Sequence, residues 1–489
     1  MGFCQVKRNT ITKNTIMYKQ VNIVVFLTAS LWLGCKSQPQ STKQETHHKK
    51  PNILILHVDD LGYYDLSVTG SNIYQTPNID QLSTESVTFS NAYANYPRCV
   101  PSRYAMLTAG YPVQNGNVPD DGFEMNNLKD ELNPIKQIQN EGYQTAYFGK
   151  FHLGDKQTIR HLGFQTSFAA GKAGSPISYH YPFNVKKGKG GKTKKVPIPD
   201  LDEMAKEGDY LNDVLTDQVI KYIKNRDKSK PFLIMNAFYA VHQPLEAKKE
   251  DIARNKKEIK THDFGNQPEY IKEGTGRTKM RQDNAVYAAM VENMDENVGR
   301  MLQTLKDLGL EDNTIVIFSS DHGGLSNDGT KRRNLATSNF PLRAGKGHLY
   351  EGGIKIPFFV KWKHHFKSHT EKESIVMLMD VFPTLLDITT GKQLQTDGKS
   401  FLPILNEKEN WKNRTVFWHS SKARPVNTGD SKSSAIRQGN YKLIDFYEQN
   451  RIELYNLAND RSETKNIATK NPLKTKDLLE KLNTWKSNF

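Results

Sequence analysis

Cysteine is scarce in this chain of 489 residues, which contains only Cys4, Cys35 and Cys99. Three cysteines, two of them within the first 35 residues, exclude the disulfide framework that stabilises many small exported domains. Long apolar runs are also few: one lies before residue 35, and no second export or membrane segment follows it. The chain shows no internal repeat. Its length allows a sizeable core without cross-links, and one large domain with a smaller one fits this size.

The first 35 residues are predicted to be an export leader and not part of the fold. Four basic residues precede the apolar run VNIVVFLTASLWLG, which is too short to remain as a membrane-spanning helix. The ending LWLGC is similar to a bacterial lipoprotein cleavage site, so Cys35 is a candidate for lipidation, with ordinary secretion as the alternative. Residues 36–50 are polar and rich in turn-forming residues, and they predict a tether. We expect a periplasmic or membrane-anchored protein, with the cell surface as a further location.

Acidic residues are the minority charge. The chain has 68 Lys and Arg against 53 Asp and Glu, a net charge of +15, of which the leader carries four basic and no acidic residues. Such an excess favours anionic partners. An exported protein meets anionic glycans more often than nucleic acid, so no nucleic-acid partner is expected, and the alternative is a solvated basic surface. Six lysines within 186–195 predict a flexible basic loop that could hold a polyanionic chain.

Four short apolar runs end in residues that can carry chemistry. They are followed by Asp59 and Asp60 after 52–58, Lys150 and His152 after 144–148, His242 after 231–241, and Asp321 and His322 after 313–320. Runs that are apolar throughout predict strands buried on both faces of a parallel sheet. Because ligands of open parallel sheets bind at the carboxyl ends of the strands, we expect these side chains to converge on one edge.

The alternation of strands and helices predicts the fold class. Helix-like stretches at 133–142, 211–225 and 284–308 lie between the apolar runs. We expect an α/β fold over residues 51–404, with a large, mixed, mostly parallel sheet sandwiched by helices. Residues 405–489 alternate and carry turn signals, which predicts a small antiparallel sheet with a terminal amphipathic helix.

The acidic pairs predict a metal site. Adjacent carboxylates at Asp59 and Asp60 repel each other unless a cation lies between them. Together with Asp321 and His322 they form a donor set for a hard divalent ion, Ca²⁺ or Mg²⁺. Each pair alone is more often a simple turn after a strand; it is their expected convergence on one edge that favours the metal.

Cys99 precedes a predicted helix start, with Pro101 in the first turn. A helix N-terminus stabilises anions and favours a reactive thiol, whereas most lone cysteines are buried and structural. The residues that follow Cys99 point to a more specific function than either a reactive thiol or a structural cysteine. The segment CVPSRYAMLTAG (99–110) resembles the signature of the type I formylglycine-dependent sulfatases, in the alkaline phosphatase superfamily.

The resemblance covers about residues 50–489. It continues in PNILILHVDDLGYYDLSVTG (51–70), GYQTAYFGKFHLG (142–154), FSSDHGG (318–324), PLRAGKGHLYEGGIKIP (341–357) and GNYKLIDFYEQNRIELYNLANDRSETKNIA (439–468). It implies that a formylglycine-generating or maturase enzyme oxidises Cys99 to formylglycine. It also implies a metal, Ca²⁺ before Mg²⁺, held by Asp59, Asp60, Asp321, His322 and residue 99. Many relatives have Asn at the position of His322, so its bond to the metal is less certain than those of the aspartates.

The remaining roles also follow from the resemblance. Arg103 would hold the hydrated formylglycine, and the sulfate would be surrounded by Lys150, His152, His242 and Lys346. By position, His242 is the best general acid for the leaving alcohol, and His152 is the candidate to accept a proton from the hydrate. His348 and Arg343 are candidate substrate contacts.

These features predict an exported sulfatase that acts on a sulfated polysaccharide or its oligosaccharides. Algal glycans such as ulvan or carrageenan are favoured, with host glycosaminoglycans behind them, and the membrane is a partner only through a lipid anchor. Two alternatives remain: a phosphodiesterase or phosphonate hydrolase of the same superfamily, and a catalytically silent glycan-binding lipoprotein. The second alternative would be marked by loss of Cys99, Lys150 or an acidic pair, and none is lost.

Overall fold

The computed structural model describes residues 49–113, 116, 118, 123–187, 193–196, 198–201 and 203–489, and residues 49–489 form one compact unit. The predicted leader, Cys35 and the tether up to residue 48 lie outside the described residues. None of the helices in the described ranges combines the length and the apolar composition that crossing a bilayer requires.

In this part of the chain, seventeen strands form four sheets. They are β1 (Asn52–Val58), β2 (Val87–Tyr93), β3 (Gln144–Gly149), β4 (Thr166–Phe168), β5 (Val185–Lys187), β6 (Thr193–Lys195), β7 (Phe232–Ala237), β8 (Tyr270–Glu273), β9 (Gly276–Lys279), β10 (Thr314–Ser320), β11 (Asn327–Asp328), β12 (Phe358–Lys361), β13 (Thr370–Met377), β14 (Thr415–Ser420), β15 (Ser433–Gln438), β16 (Tyr441–Phe446) and β17 (Arg451–Asn456).

Eleven α-helices lie in the described ranges. They are α1 (Pro77–Thr84), α2 (Cys99–Thr108), α3 (Pro134–Asn140), α4 (Lys156–His161), α5 (Leu211–Asn225), α6 (Lys249–Thr261), α7 (Ala285–Asp307), α8 (Glu351–Ile354), α9 (Val381–Thr390), α10 (Leu402–Leu405) and α11 (Pro472–Lys486).

The largest sheet has eight strands in the order β13-β2-β12-β10-β1-β7-β3-β4. Its pairings are parallel except those of β12, which runs antiparallel to both β10 and β2. The predicted fold class, with a mixed and mostly parallel large sheet, is therefore confirmed.

The central strand β1 contributes to two cores because successive side chains point to opposite faces of a sheet. Leu54 and Leu56 pack into a core with residues of α5 and α7, whereas Ile53 and Ile55 pack into another with residues of α3 and α9. A strand covered on both faces has no polar side, which is why its sequence is apolar throughout.

The C-terminal region folds as the alternating sequence pattern predicts. Strands β14, β15, β16 and β17 form an antiparallel sheet in chain order. Helix α11 covers it with Leu478 and Leu482, which pack against Ile436, Leu443 and Leu454. The boundary between residues 404 and 405 stays a prediction.

The basic segment 186–195 differs from the loop that its composition predicts. β5 and β6 pair in antiparallel fashion, with Val185 opposite Lys195 and Lys187 opposite Thr193. The segment is therefore a hairpin: Val185 and Thr193 favour strands, and the ladder itself uses only backbone N–H and C=O groups, which every lysine offers. Its tip, residues 188–192, lies outside the described residues.

Candidate active site

Four neighbouring parallel strands carry the predicted site residues at their carboxyl ends. β10, β1, β7 and β3 lie side by side in this order. Asp321 and His322 follow β10, Asp59 and Asp60 follow β1, His242 lies beyond β7, and Lys150 and His152 lie beyond β3. The fold thus brings together residues that are far apart in the chain, as the hydrogen bond from the backbone N–H of Asp60 to the carboxylate of Asp321, 261 residues away, illustrates.

The two acidic pairs share one buried space. The backbone N–H of Asp60 donates to Asp321 Oδ1 at 3.1 Å, and His322 Nε2 lies 3.2 Å from Asp60 Oδ1. Asp60 has a φ of 61°, a left-handed conformation that Asp adopts more readily than most residues. The chain therefore turns sharply between Asp59 and Asp60, which are both buried.

The ring of His322 is oriented for coordination. Its Nδ1 lies 2.9 Å from the carbonyl oxygen of Gly323. Because a carbonyl oxygen can only accept, we assign the proton to Nδ1, which leaves the lone pair of Nε2 toward the acidic pairs. Histidines that bind metals commonly hold their second ring nitrogen in this way.

Arg103 of α2 connects three of the strands. Its Nε donates to Asp321 Oδ2 at 3.1 Å, one terminal nitrogen lies 3.3 Å from Asp59 Oδ1, and the other donates to the carbonyl oxygen of Lys150 at 2.8 Å. Only 1 % of its side chain is exposed. A fully engaged guanidinium is pre-organised and positions the carboxylates with little freedom.

Two lysines neutralise the first acidic pair. Lys346 Nζ donates to both carboxylate oxygens of Asp60, at 2.6 and 2.9 Å, and Lys150 forms a buried ion pair with Asp59. Gly149 precedes Lys150 with a φ of 87°, and a Cβ there would lie 2.0 Å from the carbonyl oxygen of Ala237. Glycine is therefore required at position 149, the last residue of β3 before Lys150.

Cys99 is the first residue of α2 and lies at the centre of these groups. Its Sγ is 3.3 Å from His322 Nε2, 3.6 Å from Lys346 Nζ and 3.9 Å from Asp60 Oδ1. The helix start is fixed by Ser102, whose hydroxyl donates to the carbonyl oxygen of Asp321 at 2.6 Å. The Cys99 side chain thus points into the cluster of charges and not into the apolar core.

His242 and His152 flank the same space. His242 Nδ1 lies 2.6 Å from the carbonyl oxygen of Gln243, so its Nε2, which is 3.9 Å from Asp60 Oδ2, is the atom free to exchange a proton. Burial, together with neighbouring lysines, lowers the pKa of His242 to about 4 and that of His152 to about 2. A Cβ at Gly174 would lie 2.4 Å from the His152 ring, so close packing fixes that ring.

The balance of charges keeps the carboxylates ionised. Burial by itself would raise the pKa of Asp60, but Lys346, His242 and His322 lower it to about 2. Burial likewise opposes a charged His322, yet Asp321 and the neighbouring Cys99 and Asp60 raise its pKa to about 9. The neutral tautomer with its Nε2 lone pair free is therefore the form that a bound cation would select by displacing the Nε2 proton. The site therefore holds ionised carboxylates at neutral pH.

The donor set fits a divalent cation. Asp59, Cys99, Asp321 and His322 each offer one ligand atom within 4.8 Å of the others, and the same holds for Asp59, Asp60, Cys99 and His242. Buried carboxylate oxygens are the ligands that Ca²⁺ and Mg²⁺ prefer, and the lone pair of His322 Nε2 faces them.

A cavity of about 260 Å³ opens at Cys99 and is lined by His152, His242 and Lys346. Three basic residues that the sequence did not single out, Arg98, Lys422 and Arg424, line it as well. Arg98 directly precedes the cysteine motif and could have been noticed for that reason. Lys422 and Arg424 lie in a segment with no motif, and only the fold places them here.

Arg343 and His348 do not line this cavity. Arg343 forms a bidentate pair with Glu273, with both N···O distances 2.9 Å, and donates to the hydroxyl of Tyr455. His348 Nε2 lies 2.9 Å from the carbonyl oxygen of Thr428. Their polar groups serve contacts within the protein, although both flank Lys346 closely in sequence, and contact with substrate stays a prediction for both.

Comparison with known proteins agrees with this geometry. The family model described as Sulfatase matches residues 51–391, and the model described as N-sulphoglucosamine sulphohydrolase, C-terminal, matches residues 344–487. A sulfatase from Formosa agariphila is 31 % identical, with 90 % of this chain and 89 % of that protein aligned. An N-acetylglucosamine-6-O-sulfatase from Bacteroides thetaiotaomicron is 26 % identical over 93 % of this chain and 88 % of its own.

Among solved structures, Ps i-CgsB in complex with k-i-k-neocarrahexaose superposes with a TM-score of 0.69 and 27 % identity. That alignment covers 90 % of this chain and 93 % of the other. The matched regions include both acidic pairs, Cys99 and the C-terminal sheet. The chain belongs to the sulfatase family and is a sulfuric ester hydrolase.

Proposed function

We propose that this sulfatase is exported and hydrolyses sulfate esters of an algal polysaccharide or its oligosaccharides, with ulvan and carrageenan before host glycosaminoglycans. The crystallised relative with a bound neocarrahexaose supports a carrageenan-type substrate. The relative from Bacteroides thetaiotaomicron, named for N-acetylglucosamine-6-O-sulfate, supports glycosaminoglycans as the second choice.

The observation that carries the proposal is the set of cations around Cys99. Lys346 lies 3.6 Å from Sγ, and Arg98, Lys422 and Arg424 line the same cavity. A sulfate ester is an anion, so a second negative group can attack it only where positive charge stabilises the sulfuryl oxygens. Lysine and arginine side chains placed around one nucleophilic position provide that charge.

Residue 99 and the metal supply the chemistry that the other side chains support. Cys99 as formylglycine would offer, in its hydrate, one hydroxyl for attack on sulfur and a second whose deprotonation allows sulfate to leave. Asp59, Asp60, Asp321 and His322 would hold a divalent ion, Ca²⁺ or Mg²⁺, that polarises the sulfate oxygens. Arg103 fixes two of these carboxylates.

His242 and His152 would act as general acid and general base. His242 Nε2 faces the space beside Cys99 and would protonate the leaving sugar oxygen, while His152 on the other side of the cavity would accept the proton of the hydrate. In the free protein the pKa of His242 is about 4, so it is neutral at pH 7. A bound sulfate adds negative charge and raises that pKa, which makes His242 an acid only when substrate is present.

The test is sulfate release from a panel of sulfated glycans: ulvan, carrageenans and glycosaminoglycans. We expect release from an algal glycan by the wild-type protein and none by Cys99→Ala, with both proteins equally folded by circular dichroism. Release from no glycan, or equal release by the variant, would contradict the proposal. An aryl phosphodiester hydrolysed faster than an aryl sulfate would favour the phosphodiesterase alternative.

The state of residue 99 is a separate test. Mass spectrometry of the tryptic peptide that contains it, Cys99–Arg103, should show conversion from the thiol to the aldehyde or its hydrate. An unmodified thiol in all of the native protein would rule out this route and leave the glycan-binding alternative.

A further inference from the structure

The rim of the cavity is formed on one side by residues 421–430, between β14 and β15. Arg98 holds this loop in place, because its guanidinium contacts Asp430 Oδ2 and the carbonyl oxygen of Lys422, both at 2.5 Å. The backbone at Arg424 is held in a turn, since its carbonyl oxygen accepts hydrogen bonds from the N–H groups of Asn427 and Thr428. The loop thus presents Lys422 and Arg424 to the cavity on a rigid frame.

A second loop, residues 329–334, lies beside the first. The backbone N–H of Lys331 donates to the carbonyl oxygen of Val426 at 2.9 Å. Arg333 donates to the side-chain oxygen of Gln243 at 3.3 Å, and the Gln243 amide donates to the carbonyl oxygen of Asn334 at 2.6 Å. Since Gln243 follows His242, this loop is tied directly to the catalytic segment.

The carboxylates near these loops are already paired. Asp430 is bound to Arg98, and buried Asp328 is bound to Arg277 and Arg332. Within the part of the chain that the structure describes, neither Arg333 nor Arg424 forms an ion pair with a carboxylate. Burial lowers the pKa of Arg333, and repulsion by Arg424 lowers it further. Asp60 and Asp328 attract the Arg333 guanidinium from a distance, but its side-chain hydrogen bond goes to the neutral Gln243.

We infer that Arg424, with Lys422 and Arg333, forms a second anion-binding site at the mouth of the cavity. It takes a further sulfate or carboxylate of the substrate, on the sulfated sugar or its neighbour, while Lys150 and Lys346 surround the sulfate that is cleaved. This inference rests on the proposed function and narrows it: the substrate is a sugar unit with more than one negative group. Guanidinium groups are suited to the task because they bind sulfate and carboxylate oxygens through two parallel hydrogen bonds.

Binding to a protein that does not turn over separates this site from catalysis. The full chain with Cys99→Ala is titrated by calorimetry with hexasaccharides of κ-carrageenan and ι-carrageenan, which share a backbone and differ by one further sulfate in each repeat. We expect tighter binding of the ι form. Adding Arg424→Gln should weaken binding of the ι form by about ten-fold and reduce its preference over the κ form, since hydrogen bonds to charged groups are of that strength.

Two further variants serve as controls. Arg424→Lys keeps the charge and should retain part of the preference. Lys476→Gln removes an equal charge from α11, where the side chain is 74 % exposed, and should leave the preference unchanged. An unchanged preference in Arg424→Gln, an equal loss in Lys476→Gln, or no preference or binding in the parent protein would overturn the inference. Turnover of 4-nitrophenyl sulfate by the wild-type enzyme tests the proposed function independently.

Discussion

Two buried clusters of charge differ in their balance of signs. In the first, here the catalytic cluster, three carboxylates (Asp59, Asp60 and Asp321) meet four basic groups (Arg103, Lys150, His322 and Lys346). In the second, the junction cluster, Lys442 is the one basic side chain among the described residues that forms ion pairs with Glu351 and Glu463, at 3.0 and 2.9 Å. The junction cluster joins α8 to the C-terminal sheet.

The difference in sign balance appears in the pKa values. In the catalytic cluster surrounding cations lower the pKa of Asp60 to about 2. In the junction cluster the pKa of Glu463 is raised to about 7, because burial and the nearby Glu351 together outweigh the opposite effect of Lys442. Burial of charge alone therefore does not mark an active site. The catalytic cluster is distinguished by its surplus of cations, by Cys99 and by the cavity that opens onto it.

Among the variants that distinguish the two clusters, Lys346→Met should have the largest effect on enzymatic activity. We expect kcat for 4-nitrophenyl sulfate to fall about 100-fold or more, because a cation that stabilises the sulfuryl oxygens is lost. Steady-state kinetics measures this, and thermal unfolding with and without Ca²⁺ accompanies it. Ca²⁺ should still raise the unfolding temperature of the variant, since the carboxylates remain. Unchanged kcat would remove Lys346 from the site.

Lys442→Met is the matching change in the junction cluster. It leaves Glu351 and Glu463 buried without their cation, and we expect a loss of about 3–5 kcal/mol in the free energy of unfolding. Urea unfolding measures the loss. Ca²⁺ should not restore it, and kcat of the folded fraction should stay near that of the wild type. Rescue by Ca²⁺ would mean that this cluster also binds the metal.

Glu463→Gln should change the pH dependence of stability. Since burial raises the pKa of Glu463 from its ordinary value of 4.5 to about 7, the free energy of unfolding should fall as pH rises from about 4.5 to about 7. The contribution is about 3 kcal/mol and is absent from the variant, so the two stability curves should converge toward acid pH. Parallel curves from urea unfolding at each pH would contradict this.

Arg343→Gln is expected to have the smallest effect. The bidentate pair with Glu273 is partly exposed, so its loss should cost about 1 kcal/mol in the free energy of unfolding. Because Arg343 does not line the cavity, kcat/KM for glycan and aryl sulfates should not change. A rise in KM for the glycan alone would return Arg343 to the substrate site.

The catalytic cluster could be predicted to a large extent from sequence. Asp59, Asp60, Lys150, Asp321 and His322 each follow an apolar strand, and the carboxyl ends of parallel strands meet at one edge of the sheet. Arg103 and Lys346 lie outside the strands and came from the resemblance. The motif around Cys99 carried the resemblance to a family. Arg343 shows the limit of this reasoning: proximity to Lys346 in sequence suggests the substrate site, whereas its guanidinium bonds Glu273.

Lys422 and Arg424 mark what local patterns cannot reveal. They lie in a loop without a motif, and long-range contacts such as that of Arg98 with Asp430, 332 residues away, bring that loop to the cavity. The composition of 186–195 pointed to a different basic segment as the site for a polyanion. A lysine-rich sequence indicates only that a segment is positively charged. Whether such a segment binds an anionic substrate also depends on its distance from the reacting group, which local sequence does not give.

The sequence by itself determined the α/β fold class, the positions of the central strands and the set of candidate catalytic groups, because strand periodicity and residue type are local properties. The tertiary structure alone decided which charges meet, which pKa values rise or fall, and which loops form the mouth of the cavity. Those depend on distances between residues hundreds of positions apart, and electrostatic energy in a buried site depends steeply on distance.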